Sequence, residues 1–323
     1  MKTKKITLIA VVLLLCIVIA GCLVACGPTN PANPPAGAVY GDYGYQFLNT
    51  FNSTYNKRSA GTEQELAAAN YIKKEFESFG YTVEYQQFNF SFRSAGEYSS
   101  QNVIAVKEGK DTSKQIIIGA HYDSVSDGYG IDDNASGVAA MLESAKYFSK
   151  NTPSCNIVFV AFGAEEVGMI GSKEYVNAMT EEEKANTKLM INIDSIAGGD
   201  KLYAYTGADE ESQAILAGIL KYGKDYGLVT QEGKGSKFGY GQTGNWSDHK
   251  YFKNAGIKFI YFEGTNWDCD IDEGTTQYVD KEGNGFEIMH TPQDTLDWIE
   301  KNFPGRAKKN VGNCVKSIIE LAK

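Results

Sequence analysis

Several chemically decisive residues are scarce in this chain. Its 323 residues include six cysteines, three histidines, three tryptophans and seven prolines. Beyond the N-terminal segment only Cys155, Cys269 and Cys314 remain, an odd number that cannot all pair within the chain. None has CxxC or Cys/His spacing, so a thiolate metal site is excluded, and the sequence leaves open whether two of the three are bridged. Basic clusters are absent after residue 5, and the formal charge is −9, or −12 without Lys2, Lys4 and Lys5. A chain this acidic is a poor partner for nucleic acid. No fixed-period repeat is present, which excludes solenoids and propellers.

Ile6 to Ala20 is an apolar run interrupted only by Thr7, slightly short for a membrane span. Preceded by three lysines, it reads as a secretory signal. Ile19-Ala20-Gly21-Cys22 and Leu23-Val24-Ala25-Cys26 then resemble bacterial lipobox motifs. Cys26 is the expected lipidated residue, because the polar, Pro-rich GPTNPANPPAG follows it directly; Cys22 is the alternative, and plain secretion or an uncleaved anchor stays open. The expected organisation is a signal peptide over 1–25, a tether over 26–38 and one domain over 39–323, held at the outer face of a bacterial membrane.

From residue 40, YQFLNTFNSTYN and TEQELAAANYIKKEFESFG read as two helices, the second stopped by Gly80. YTVEYQQFNFSF and SQNVIAVKEG alternate like strands and form an antiparallel pair or edge. Apolar runs at Ile116–Ile118, NIVFVAFGA, KLMINIDS, KLYAYTG and KFIYFEG alternate with helical segments, and a helix closes the chain. This order predicts an α/β fold with a mixed, mostly parallel sheet covered by helices on both faces. The Gly-rich segment 229–247 reads as a long loop, and such loops are usually functional.

Polar residues collect where the apolar runs end. His121 and Asp123 follow Ile116–Ile118, Glu165 and Glu166 follow NIVFVAFGA, Asp194 follows LMINI, and His290 sits in the restricted turn HTP. Ligands bind at the carboxyl ends of strands in open α/β sheets. Each feature alone has a bland reading as a cap, a surface pair or a turn residue, but four coincident run ends favour a shared site. Imidazoles and carboxylates without cysteine suit zinc, cobalt or manganese. Shared between two sites about 3.5 Å apart, they would form a two-metal hydrolytic centre. A serine nucleophile is the competing chemistry, but GxSxG is absent and Ser124 and Ser195 lie in the wrong setting.

HYDS, GIDDNASG, FGAEEVGMIGS, NIDSIAG, SDHKYF and HTPQDT, in that order, resemble the zinc-dependent M28 family of aminopeptidases and related peptidases. RSAGTEQELAAANYIKKEFESFGYTVEYQQF is similar to that family's N-terminal helix region, so the likeness covers about 45–323. It implies two Zn2+, replaceable by Co2+ or Mn2+, with His121 and Asp194 on one ion, Glu166 and His290 on the other, and Asp133 as the bridge. It further implies Glu165 as general base, Asp123 as the carboxylate that orients His121, and a cis peptide between Asp133 and Asn134. The activity implied is removal of N-terminal amino acids from peptides. Glutaminyl cyclase-like acyl transfer, a carboxypeptidase and a non-catalytic binding lipoprotein are the alternatives.

Other residues carry weaker signals. His249 is expected to pack at a helix start rather than bind metal, and Asp248 to cap that helix or support the site indirectly. DCDIDEG, 268–274, imitates the start of a calcium loop, but its glycine comes one position late and Val279 replaces the terminal glutamate. Met289 and Trp246 stand where some family members have Tyr and Arg. Trp246 and Tyr240 are read as pocket residues or plain aromatic anchors, and Lys234 and Lys237 are the only cations in the candidate loop to hold a substrate carboxylate. Oligomeric state and side-chain preference are not legible.

Overall fold

The structure is a computed structural model that describes residues 39–92, 96–126, 128–269 and 274–323. Helices α1 (Asp42–Thr54) and α2 (Glu63–Ser78) lead into strands β1 (Val83–Ser91), β2 (Glu97–Lys107) and β3 (Asp111–His121). Helix α3 (Ser136–Lys150), β4 (Cys155–Phe162), α4 (Ile170–Ala178), α5 (Glu181–Asn186), β5 (Thr187–Asp194), β6 (Lys201–Thr206) and α6 (Glu210–Gly223) follow. Then come α7 (His249–Asn254), β7 (Phe259–Thr265), the short pair β8 (Tyr278–Val279) and β9 (Gly285–Phe286), α8 (Leu296–Asn302) and α9 (Arg306–Ala322). Thr62 caps α2 by accepting from the Glu65 N–H, and α1 begins three residues before the expected Tyr45.

Seven strands form one sheet in the order β1-β2-β4-β3-β5-β7-β6. The central pairings β4-β3, β3-β5 and β5-β7 are parallel, while β1-β2, β2-β4 and β6-β7 are antiparallel. The strand pair expected at 81–109 thus forms one antiparallel edge, and KLYAYTG supplies the other.

Burial on both faces explains the unbroken apolar runs. Alternation sends Ile116, Ile118, Phe159, Ile191 and Phe262 to the side covered by α1, α2, α3 and α9. Ile117, Val158, Val160, Met190 and Tyr261 face the opposite side, with Val176 of α4 and Phe252 of α7. Burying one such side chain is worth about 1.5–3 kcal/mol, so both layers favour the same register. Among the described residues, no helix is long and apolar enough to cross a membrane.

Candidate metal centre

The parallel strands deliver their ends to one place. His121 is the last residue of β3 and Asp194 the last of β5, while Glu165 and Glu166 follow β4 after a two-residue turn. Ala164 takes a left-handed conformation in that turn, φ 56°, and its N–H donates to buried Glu65 at 3.2 Å. Asp133 comes from a wide helical turn over 131–135, entered through left-handed Gly130 at φ 68°. The peptide bond from Asp133 to Asn134 is cis, as the resemblance implied. His290 arrives from the far end of the chain with φ 60° and a half-exposed ring.

These side chains converge. His121 Nε2 lies 3.1 Å from Asp133 Oδ1 and 3.4 Å from Asp194 Oδ1. His290 Nε2 lies 3.0 Å from Asp133 Oδ2 and 3.2 Å from Glu166 Oε2. The two oxygens of one carboxylate therefore face two different imidazoles. Ligand atoms of His121, Asp133 and Glu166 all fall within 4.8 Å of one another, which fits a metal ion held by nitrogen and oxygen donors.

Charge is concentrated here against the tendency of burial. Burial lowers the His121 pKa, but Asp194, Asp123 and Asp133 outweigh it and leave the imidazole well above its ordinary value. Hydrogen bonds to Asp133 and Glu166 raise His290 to about 11. Burial would raise Asp133, yet the two histidines hold its carboxyl well below the usual range. Burial pushes Glu165 well up, with Asp248, Glu166 and Asp194 adding to the effect against His121. A proton acceptor of raised basicity beside the donor cluster is suited to general base work.

A scaffold of buried polar groups holds the cluster. Asp123 Oδ1 is 3.4 Å from His121 Nδ1, and its two oxygens accept from the backbone N–H groups of Glu165 at 2.9 Å and Glu166 at 3.1 Å. It therefore stands between β3 and the Glu-Glu turn, a double role that the sequence did not reveal. Asp294 accepts from the N–H groups of Ile131, Asp132 and Asp133, tying the HTPQDT turn to the Asp133 turn. Asp132 accepts from Ala197 and Gly198 and from the amide of buried Gln277, whose oxygen receives the N–H groups of Ile288 and Met289 at 2.7 Å each. Arg58, fully buried, donates to the carbonyls of Tyr122, Tyr129 and Gly130.

The weaker expectations divide. His249 is buried, stacks on Phe259 and Tyr261 at 4.8 and 4.7 Å, and bonds the Gly244 carbonyl at 3.0 Å, so it is packing. Asp248 occupies the N-cap position of α7 but makes no capping hydrogen bond; its backbone is already helical there, which turns the carboxylate away from the first-turn N–H groups. Trp246 and Met289 line the site cavity of about 270 Å3, whereas Tyr240 and both loop lysines do not. Cys155 and Cys314 are buried free thiols and Cys269 an exposed one. Residues 270–273 of the calcium-like segment, like Cys22 and Cys26, lie outside the described residues.

The sequence model of Peptidase family M28 matches residues 102–315, more than half of the chain. The chain belongs to peptidase family M28. This M28 chain is 29% identical to the alkaline phosphatase isozyme conversion protein of Escherichia coli over 92% of both proteins. It is 33% identical to leupeptin-inactivating enzyme 1 of Streptomyces exfoliatus over 72% of itself, spanning half the length of that relative. Its fold is similar to that of a zinc aminopeptidase from Bacillus subtilis, with a TM-score of 0.70 at 19% identity over 88% of this chain and 96% of the other. The M28 assignment makes the molecule a peptide-bond hydrolase, and its His121, Asp133 and Glu166 donors could hold a metal ion.

Proposed function

We propose that the protein is a co-catalytic two-zinc aminopeptidase. His121 and Asp194 would hold one ion, Glu166 and His290 the other, and Asp133 would bridge them. The observation that carries this reading is the placement of Asp133 Oδ1 and Oδ2 against His121 and His290 at 3.1 and 3.0 Å. Bound zinc supplies Lewis acidity worth several kcal/mol of charge stabilisation.

The chain's own residues do the rest. Glu165 takes the proton of the attacking water and returns it to the leaving amine, a role worth about 10²–10⁴-fold. Asp123 fixes Glu165 and His121 relative to each other. The acidic groups around Glu166 and Asp133 favour a free α-ammonium at the scissile residue. Absence of Lys and Arg from the described cavity lining supports an aminopeptidase over a carboxypeptidase, which needs a cation for the terminal carboxylate.

The test is release of free amino acids from unblocked dipeptides and aminoacyl p-nitroanilides, before and after chelation and zinc repletion, beside Glu165→Gln. N-acetylated substrates should resist. Their cleavage at equal rates would refute the exopeptidase reading, and cyclisation of N-terminal glutamine without hydrolysis would favour the cyclase alternative. We further propose export by residues 1–25, a tether over 26–38 and lipid on Cys26, or on Cys22. Mass spectrometry of the mature N-terminal peptide tests this, and an unmodified N-terminus would refute it.

A further inference from the structure

The sheet sets out its functional side chains in strand order. Glu165 and Glu166 follow β4, His121 ends β3, Asp194 ends β5, and Glu263 lies in β7 as the ladder partner of Asp194. Glu263 thus stands at the end of this row away from Glu166. It is 4% exposed, lines the site cavity, and its Oε2 has no hydrogen-bond partner. Tyr205 and Tyr261 set their hydroxyls against the carboxyl but leave that oxygen unserved.

An unpaired carboxylate oxygen in an interior position is costly, and native proteins rarely keep one without a use. Three features indicate what would satisfy it. The cavity of about 270 Å3 has the volume to take a long side chain. Trp246 and Tyr261 supply aromatic wall, Met289 supplies apolar wall, and exposed Glu287 adds a second negative charge at the mouth. No Lys or Arg belongs to the described lining. A lysine or arginine side chain matches this set: its methylene stem lies along the wall and its head meets the carboxylate, with a guanidinium also favoured over indole. On the aminopeptidase reading the α-ammonium meets the acidic groups around Glu166 and Asp133, which leaves Glu263 for the side chain.

We infer that the cavity receives a basic side chain, lysine or arginine, of the substrate's N-terminal residue, with Glu263 as its counter-charge. This inference rests on the aminopeptidase reading. The experiment compares kcat/KM for Arg, Lys, Leu, Ala and Glu p-nitroanilides with zinc-loaded enzyme. Arg and Lys are expected at least tenfold above Leu, with Glu slowest. In Glu263→Gln and Glu263→Leu, the Arg:Leu ratio is expected to fall at least tenfold, a readout independent of the folded fraction. Preference of the wild type for Leu, or an unchanged ratio in a variant that folds, would overturn the basic pocket and leave the aminopeptidase reading standing. Hydrolysis of none of the five substrates would overturn that reading, and the pocket with it.

Discussion

Replacing Asp123 by Asn changes one atom and separates two roles. The carboxylate receives N–H groups from both Glu165 and Glu166 while lying 3.4 Å from His121 Nδ1. Asparagine has one acceptor oxygen, so one of the two N–H groups must face an amide N–H2 instead. The side chain is fully buried, so water cannot replace the lost partner. An unsatisfied buried donor costs about 1–3 kcal/mol. At roughly 2–4 °C per kcal/mol for a domain near this size, Tm should fall by roughly 2–12 °C. That loss should be present in chelated protein, because it arises from the turn and not from metal. Weaker fixation of His121 should in addition lower zinc affinity about 10–100-fold, and displacement of Glu165 should lower kcat. The assays are thermal unfolding by circular dichroism with chelator, zinc titration, and kcat on an aminoacyl p-nitroanilide. Weaker zinc binding with an unchanged chelated Tm would leave Asp123 as an imidazole orienter and refute the clamp. No change in any of the three would refute both roles.

Glu165→Gln should lower kcat about 10²–10⁴-fold while zinc binding persists; near-normal turnover in a zinc-loaded variant would move the base elsewhere. Chelation should abolish hydrolysis and added Zn2+ restore it, with Co2+ or Mn2+ as substitutes; activity that survives exhaustive chelation would refute metal dependence. Asp294→Ala leaves the N–H groups of Ile131, Asp132 and Asp133 without their acceptor, so urea unfolding should show a loss of about 2–5 kcal/mol, and a loss under 1 kcal/mol would refute its role as the anchor of that turn. Burial lowers His249 to about 3, below its ordinary value of 6.5, so the unfolded chain binds the proton first as pH falls. Its stabilising contribution is complete above pH 6.5 and is lost towards pH 3 at about 1.4 kcal/mol per unit. His249→Phe should therefore show a shallower pH dependence of stability than wild type between those limits, and parallel curves would refute the neutral stacked ring.

Much of the fold was legible because the central strands are buried on both faces. That leaves apolar runs at Ile116–Ile118 and 157–162, and one over 189–193 interrupted only by buried Asn192, with polar site residues following each. His121, Asp123, Glu165, Glu166 and Asp194 were placed together by that rule, since a strand's carboxyl end is a local feature of sequence. The roles of Asp133 and Asp123 and the pairing of His290 with Glu166 came from the family likeness, because they depend on partners carried by other strands and turns. The polar scaffold was not legible for the same reason. Arg58, Gln277 and Asp294 bond mainly to backbone groups of distant segments, and a backbone N–H or carbonyl leaves no mark in a sequence. Asp248 shows the converse: a good N-cap residue type failed to cap because its own backbone had already entered the helix. Glu263 is different again, for a glutamate inside FIYFEGT interrupts a strand that is otherwise apolar and aromatic on both faces. A charged residue is rarely kept fully buried without a partner. The position in sequence was therefore a sufficient signal to ask what pairs with it, and the cavity geometry turns that question into one about the substrate's side chain.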